Sequence, residues 1–480
     1  MNLSLKHFIT TVLFLISTVT FSNLDYNNNI KEIHSSIMNL DFQKSDSLIH
    51  IETINNPQNS YISYFKTYRF FLQTYFNTTN NNYDNFFISS EHSLEILDNE
   101  DNKETALILS ATLSIQQAFI HFLWDEHMSY VRSLMQGQSY IDNINSKSQN
   151  TEYLKIRSIY EVIGGSVPNR FKSVAKWFNI KGSPQKGLSL IDNYLLNNKQ
   201  SSANNTEGQI IKLYLKHFLD VSESNNIENN NLLYQYVFLI TSHISNKDKL
   251  GMIKKLESNH KLPSYFNFLK GKFLLELLNK EGLVIMDNYI RNHQSNSLIQ
   301  SAHFYKAWYY CSQNENDLLR KEIEKTKNIN SPNFPMDKKS LERVEQFDQW
   351  NPLLIKSRML FDAGEYKQAL SCLKRGGIQK ELISKSDKIE YLYRLARIYE
   401  KLKNINKALN LYQIVINTNE DELYFVAYSA YCSGKIYYLR RQQKLALDFF
   451  AKALELNNGE YKTSIEKKCT FAIENISFSN

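Results

Sequence analysis

Residues 391–416 read YLYRLARIYEKLKNINKALNLYQIVI. Small, apolar or aromatic residues stand at Leu395, Ala396 and Tyr399, and again at Ala408, Tyr412 and Val415. Both sets recur with helical period, so each predicts a helix with one buried stripe, over 391–402 and 407–416. Lys403, Asn404 and Asn406 supply a polar turn between them. Ala396 and Ala408 stand where the two helices cross, because a bulky side chain there would push the axes apart. Tyr399 and Tyr412 then fill the space against a neighbouring pair. A second copy places Gly434, Tyr437, Ala446, Phe450 and Ala453 in the equivalent positions. A third, looser copy (LLIKSRMLFDAGEYKQALSCL) offers Leu353, Leu360, Ala369 and Leu373. One helix pair cannot bury both of its faces, so such pairs stack.

This spacing resembles the tetratricopeptide repeat (TPR). The resemblance implies an all-α fold, a right-handed α-solenoid of TPR-like helix hairpins, regular at the C-terminus and degenerate upstream. From Ala369 to Ala408 is 39 residues and from Ala408 to Ala446 is 38, against a repeat of about 34. The surplus is expected in the loops around Gly376-Gly377 and 417–422.

Composition agrees. Only 14 Gly and 7 Pro leave few turn-formers for an all-β chain, and no alternating apolar–polar run argues for a sheet. Asparagine runs such as Asn27-Asn28-Asn29, Asn80-Asn81-Asn82 and Asn229-Asn230-Asn231 serve as loops. A net charge of +7 is mild and dispersed, with Arg440-Arg441 and Lys467-Lys468 as pairs only. A nucleic-acid binder concentrates its cations on one face, so no nucleic-acid partner is expected. Lys6 followed by the apolar run 8–21 and the polar Ser22-Asn23 has the layout of a secretory signal peptide. That run is shorter than the roughly 20 residues a membrane span needs. No cysteine follows the cut, so no lipid anchor is indicated, and no later stretch looks apolar enough to cross a bilayer. The expected compartment is periplasmic or extracellular. Cys311, Cys372, Cys432 and Cys469 all lie in helical patterns without a C-x-x-C pair, so Cys372 and Cys432 read as small buried hydrophobes. Spacing permits a disulfide but assigns none.

Four units are expected in chain order: a signal peptide at 1–22, degenerate hairpins at 23–200, a helical middle at 201–348, and repeats with a capping helix at 349–480. LDFQKSDSLI in the first hairpin echoes AGEYKQALSCL, with Ser45 where Ala369 stands. The aromatic run 61–76 predicts a buried helix. YEVIGGSVPNRFKSVAKWFNIKGSPQKGL breaks the rhythm: Gly164-Gly165 and Pro168 precede one predicted helix, and Gly182-Ser183-Pro184 another. Ser183 suits an N-cap and Pro184 a first turn, while Gly187 inside that helix marks a close helix contact. Neither phosphate-loop spacing is present, so a tight corner between helices is the expected reading. A last helix, 461–476, is expected to close the array with Glu466, Lys467 and Lys468 turned away from Ile465 and Phe471.

NNPQNSYISYFKTYRFF, the glycine-containing segment above and NPLLIKSRMLFDAGEYKQAL through IEYLYRLARIYEKL resemble uncharacterised TPR proteins of Bacteroidetes. That resemblance implies an all-helical, exported bacterial protein and brings no activity with it.

Catalytic patterns are thin. His121 and His127 are too far apart around a helix for H-E-x-x-H, and Ser166 lacks the G-x-S-x-G elbow. Glu420-Asp421-Glu422 reads as a solvated loop. No catalytic residue, metal site or cofactor is therefore expected. In TPRs the first helix of each pair lines the concave surface. Transferring that register puts Arg358, Phe361, Tyr393, Arg397, Tyr431, Lys435 and Tyr438 on one inner wall. Arginine and tyrosine there suit an extended peptide with acidic or aromatic groups, although the chain's own terminal helix could fill the wall instead. The expected function is an exported scaffold for a protein or peptide partner. The alternatives are a carrier enclosing an apolar ligand, or an enzyme with an unrecognised site near residues 160–190.

Overall fold

The computed structural model describes residues 23–478 apart from 146–147, 167–181, 199–201, 222–228, 294, 296, 330–333, 376–380, 383, 419 and 421. The signal-peptide segment, the helix expected after Pro168 and the loop at Gly376-Gly377 lie outside the described residues. Those described form helices and turns, plus one isolated bridge between Asn23 and Asn59. The helices are α1 (Asn28–Met38), α2 (Phe42–Asn55), α3 (Tyr61–Phe76), α4 (Asn80–Asp98), α5 (Lys103–Leu123) and α6 (His127–Asp142). Next come α7 (Thr151–Gly165), α8 (Pro184–Asn197), α9 (Ala203–Phe218), α10 (Leu232–Thr241), α11 (Asn246–Asn259) and α12 (Tyr265–Glu276). Then follow α13 (Glu281–Asn292), α14 (Ile299–Gln313), α15 (Asn316–Asn328), α16 (Pro335–Glu345), α17 (Pro352–Asp362) and α18 (Tyr366–Leu373). The chain ends with α19 (Lys385–Lys401), α20 (Ile405–Ile416), α21 (Tyr424–Leu439), α22 (Gln443–Glu455) and α23 (Lys462–Phe478). It is an all-α solenoid of helix hairpins.

One backbone corner recurs through the array. Leu40, Asp125, Asp220, Leu278, Asn314, Gly364, Lys403 and Arg441 each follow a helix with a positive φ, between 57° and 83°. At each, two N–H groups bond back to the end of that helix, as when Lys403 N donates to Glu400 O and Asn404 N to Tyr399 O. This is the Schellman arrangement, which satisfies helix-end carbonyls while reversing the chain. Five residues beyond the corner comes the small residue at the helix crossing: Ser45, Ala369, Ala408 and Ala446 are all fully buried. The echo between LDFQKSDSLI and AGEYKQALSCL is therefore a true repeat of geometry. The largest rings fill the gaps between hairpins, with Tyr412 and Phe450 in the interior, and burying one such ring is worth about 1.5–3 kcal/mol. At Gly434 a Cβ would lie 2.7 Å from the Phe450 ring, so that crossing takes no side chain.

Several expectations need correction. α5 is long and apolar enough, by composition, to cross a membrane, with a mean hydropathy of 1.5, yet two-thirds of that window is buried against neighbouring helices. Gly164-Gly165 closes the end of α7, and the helix expected beyond Pro168 lies outside the described residues. The sequence reads Ser331-Pro332 and Phe334-Pro335 as one proline-rich loop, but Pro335 opens α16 at its first turn. α15 buries only Leu319 and Ile323 as apolar residues, a stripe too sparse to predict a helix from sequence. α23 is not a polar-faced cap. Lys468 reaches Asp220 at 3.5 Å, the Lys467 ammonium sits 3.3 Å from the Phe218 ring centroid, and Phe471 packs with Val162, Ile191, Tyr194, Leu215 and Leu219. The end of the chain thus docks on α8 and α9, and the array curls back on itself. All four cysteines are free thiols.

Candidate functional site

Among the described residues, three neighbouring cavities lie on the inner side of the C-terminal repeats. The largest, about 1340 Å³, opens among α14, α16, α17 and the starts of α19 and α21. Trp308 of α14 lies in its wall, buried, and Arg358 of α17 stacks 4.6 Å from its ring centroid. Arg343 of α16 stands 5.5 Å from the same ring and donates to the Tyr461 hydroxyl at 2.7 Å. Lys339 lies 4.0 Å from the Tyr461 ring centroid. Trp350 and Tyr424 extend the aromatic surface, at 6.4 Å from Trp308 and 4.9 Å from Tyr461 respectively. Tyr461 sits at the entry to α23 with φ +64°, a left-handed backbone that aims its ring at the cations. Burial alone would raise its hydroxyl pKa, but Arg343, Lys339 and Arg358 together hold it below the ordinary tyrosine value.

These cations have little counter-charge. Asp362 approaches Arg358 Nε at 3.7 Å. Among the described residues no carboxylate lies within ion-pair distance of Lys339 or Arg343. Other acids lining the cavity are engaged elsewhere: Glu390 with Arg394, Glu381 with Arg375, and Asp387 in the capping box of α19. Asp348, Glu422 and Glu460 are exposed to solvent.

A second cavity of about 310 Å³ lies between α19, α21 and the corner residues Asp220 and Ser242 to Lys249. Asp220, the left-handed residue after α9, reaches onto the repeat wall. It accepts from Tyr431 Oη at 2.8 Å and pairs with Lys435 at 2.9 Å. Despite burial, Lys435, Lys468 and the Tyr431 hydrogen bond hold its carboxyl well below the usual range. The Arg397 guanidinium lies among rings, at 5.0 Å from Phe361, 5.2 Å from Tyr428 and 5.8 Å from Tyr393, and donates to Tyr393 Oη at 2.8 Å. A third cavity of about 100 Å³, lined by Arg358, Phe361, Tyr393 and Arg397 among others, lies between the first two.

The seven residues assigned to the inner wall are therefore not equivalent. Arg358 faces the large cavity, and Phe361 and Arg397 line the two smaller ones. Tyr393 is buried beneath Arg397. Tyr431 is buried and committed to Asp220, with Lys435 beside it, so the chain itself fills that part of the wall. The filling comes from the α9 corner as well as the terminal helix. Tyr438 lines none of the three cavities. Trp308, Lys339, Arg343, Trp350 and Tyr461 were missed, because they come from outside the repeats or from the corner that follows them.

The glycine-containing segment is a packing corner where it is described. Ser183 caps α8 through the Lys186 amide. A Cβ at Gly187 would lie 2.6 Å from Val162 Cγ2 and 2.7 Å from the Ser158 carbonyl oxygen, so α8 rides directly on α7. His121 binds Glu126 at 2.6 Å and His127 binds Asp125 at 3.1 Å, on different sides of the corner.

No protein-family model matches the chain, and no curated protein matches it. Among solved structures, the human IFIT1 dimer with PPP-AAAA aligns over 92% of this chain and 97% of that one, with 14% identity and a TM-score of 0.26. A likeness at that level leaves the reading of the site to its own geometry.

Proposed function

We propose that this chain is an exported helical-repeat scaffold, without catalysis of its own, that takes an extended peptide bearing acidic and aromatic side chains into the large cavity. The observation that carries it is the cluster of Lys339, Arg343 and Arg358 stacked on Trp308 and Tyr461. Cations held against rings keep their hydrogen-bond donors pointed outward for a carboxylate. The neighbouring indole and phenol faces offer stacking surface to an aromatic side chain. Export is supported by the apolar run 8–21 behind Lys6. A carrier for an apolar ligand fits less well, since Arg343 and Arg358 stand in the wall, with Lys339 against the Tyr461 ring beside it.

Fluorescence anisotropy with labelled peptides tests the reading. A peptide of alternating acidic and aromatic residues is expected to bind in a salt-sensitive way. An Arg343→Glu, Arg358→Glu variant is expected to weaken it at least tenfold, that is by about 1.4 kcal/mol or more. Equal binding of a lysine-rich peptide, or unchanged affinity in the double variant, would refute it.

A further inference from the structure

The 310 Å³ chamber lies apart from the peptide groove and makes a different demand. Its volume is at the small end of small-molecule sites, which run from about 300 to 1,000 Å³. The repeats wall it on one side, and Asp220, Ser242, His243, Ile244 and Lys249 line it on the other. That side is pinned: Asn246 N–H donates to Ala363 O at 3.0 Å, Lys247 pairs with Glu365 at 2.7 Å, and Asp220 holds Tyr431 and Lys435. A cavity of this size suits a compact molecule.

Its cations outnumber the acids free to meet them. Lys249, Arg397, Lys401 and Lys435 line it, with His243. The lining carboxylates are already engaged: Asp220 by Lys435, Lys468 and Tyr431, Glu400 by the Tyr412 hydroxyl, and Asp362 by Arg358. Among the described residues no carboxylate lies within ion-pair distance of Arg397 or Lys401. Arg397 is fixed in place by the Tyr393 hydroxyl and three rings. The Ser242 hydroxyl oxygen is buried without a hydrogen-bond partner, and Ser242 lies in the chamber wall. Lys401 feels the surplus: burial and then Arg397 lower its pKa. Lys249 is lowered to about 8, by burial and then Lys272.

We infer that this chamber binds a small free anion carrying a carboxylate or phosphate group, gripped by the Arg397 guanidinium and the Lys401 ammonium, with the Ser242 hydroxyl as a further donor. A planar guanidinium held rigid meets such a group through paired N–H bonds, and a second cation fixes the anion's position. The anion would also bridge the repeat wall to the α10–α11 corner.

Isothermal titration of the whole chain with succinate and, separately, with inorganic phosphate tests this, with uncharged succinamide as control. Saturable one-to-one binding by either anion, and none by succinamide, is expected. Binding by succinate alone, phosphate alone or both sorts the source within that chemistry. Lys401→Met and Arg397→Met are each expected to weaken it at least tenfold, while Lys452→Met on the exposed face of α22 leaves it unchanged. Lys401 makes no hydrogen bond or ion pair among the described residues, so its variant removes the charge without breaking a contact. Absence of saturable binding by both anions overturns the inference, as does full binding by Lys401→Met or equal loss in Lys452→Met.

Discussion

The helices upstream of α17 and the repeats from α17 onward both carry buried charge, but they treat it differently. Upstream, the two most deeply buried lysines, Lys155 and Lys306, each have acids. Lys155 of α7 pairs with Glu152 and, at 2.6 Å, with Glu207 of α9, and His34 of α1 lies 4.0 Å from the same Glu207. Lys306 meets Glu322 at 3.1 Å and Asp287 at 2.7 Å, and His303 meets Glu322 at 2.6 Å. In the repeats, Arg397 is stacked on rings, and Arg358 has one distant acid. A charge paired inside the molecule has its valence used, and it ties helices together. A charge held against rings beside a cavity retains donors for a ligand. The difference separates groups that hold the fold from groups free to act.

The largest test of this contrast is removal of one buried partner. Lys155→Met leaves Glu207 charged in the interior, which costs about 3–5 kcal/mol. Arg397→Met strands no acid and gives up stacking and one bond to the Tyr393 hydroxyl, about 1–3 kcal/mol. Urea denaturation of the two variants is expected to show that order, with Lys155→Met, Glu207→Leu recovering most of the single loss. Equal costs for the two single variants would erase the distinction.

Acid separates the regions next. His34 is buried, accepts or donates a bond with Tyr26 Oη at 2.9 Å, and is held by burial at a pKa of about 4. The unfolded chain takes up that proton near pH 6.5, before the folded one does. The contribution is therefore fully present above about pH 6.5 and is lost as pH falls toward 4. All 11 histidines precede residue 304, so the repeats contain none. Between pH 7 and pH 5, hydrogen exchange should quicken in α1, α3 and α9 while α19 to α22 stay protected. His34→Gln is expected to remove part of the change, on the order of 1–2 kcal/mol; His293, also lowered to about 4 by burial, accounts for another part. Uniform quickening across the chain would contradict it.

The repeats were readable because alanines at helix crossings and rings between hairpins recur at fixed intervals, as at Ala369, Ala408 and Ala446. Upstream, the same corner is built with Leu40, Asp125, Leu278 and Asn314, residues with no common turn signature. The hairpins persist there while their pattern fades. The site was half visible. Arg358 and Arg397 follow from helical register, but nothing near Asp220 signals that it will cap Tyr431, 211 residues away. Tyr461 and Trp308 likewise meet only through the curl of the array.

That shared corner offers the finest test, because it is the one feature both regions keep. Glycine adopts a positive φ without the steric cost other residues bear, and asparagine bears less of it than lysine does. Lys403, at φ +60°, is exposed in the repeats, and Asn314, also at +60°, is exposed upstream. If both are strained left-handed corners of one geometry, Lys403→Gly should raise stability by up to about 1 kcal/mol and Asn314→Gly by only a few tenths. The lysine also interacts favourably with the end of α19, which trims the gain by about 0.3 kcal/mol or more. Thermal melts of the two variants decide it. Destabilisation by Lys403→Gly would mean that the side chain, and not the backbone, makes the corner, and the likeness between the two halves of the array would then be one of outline only.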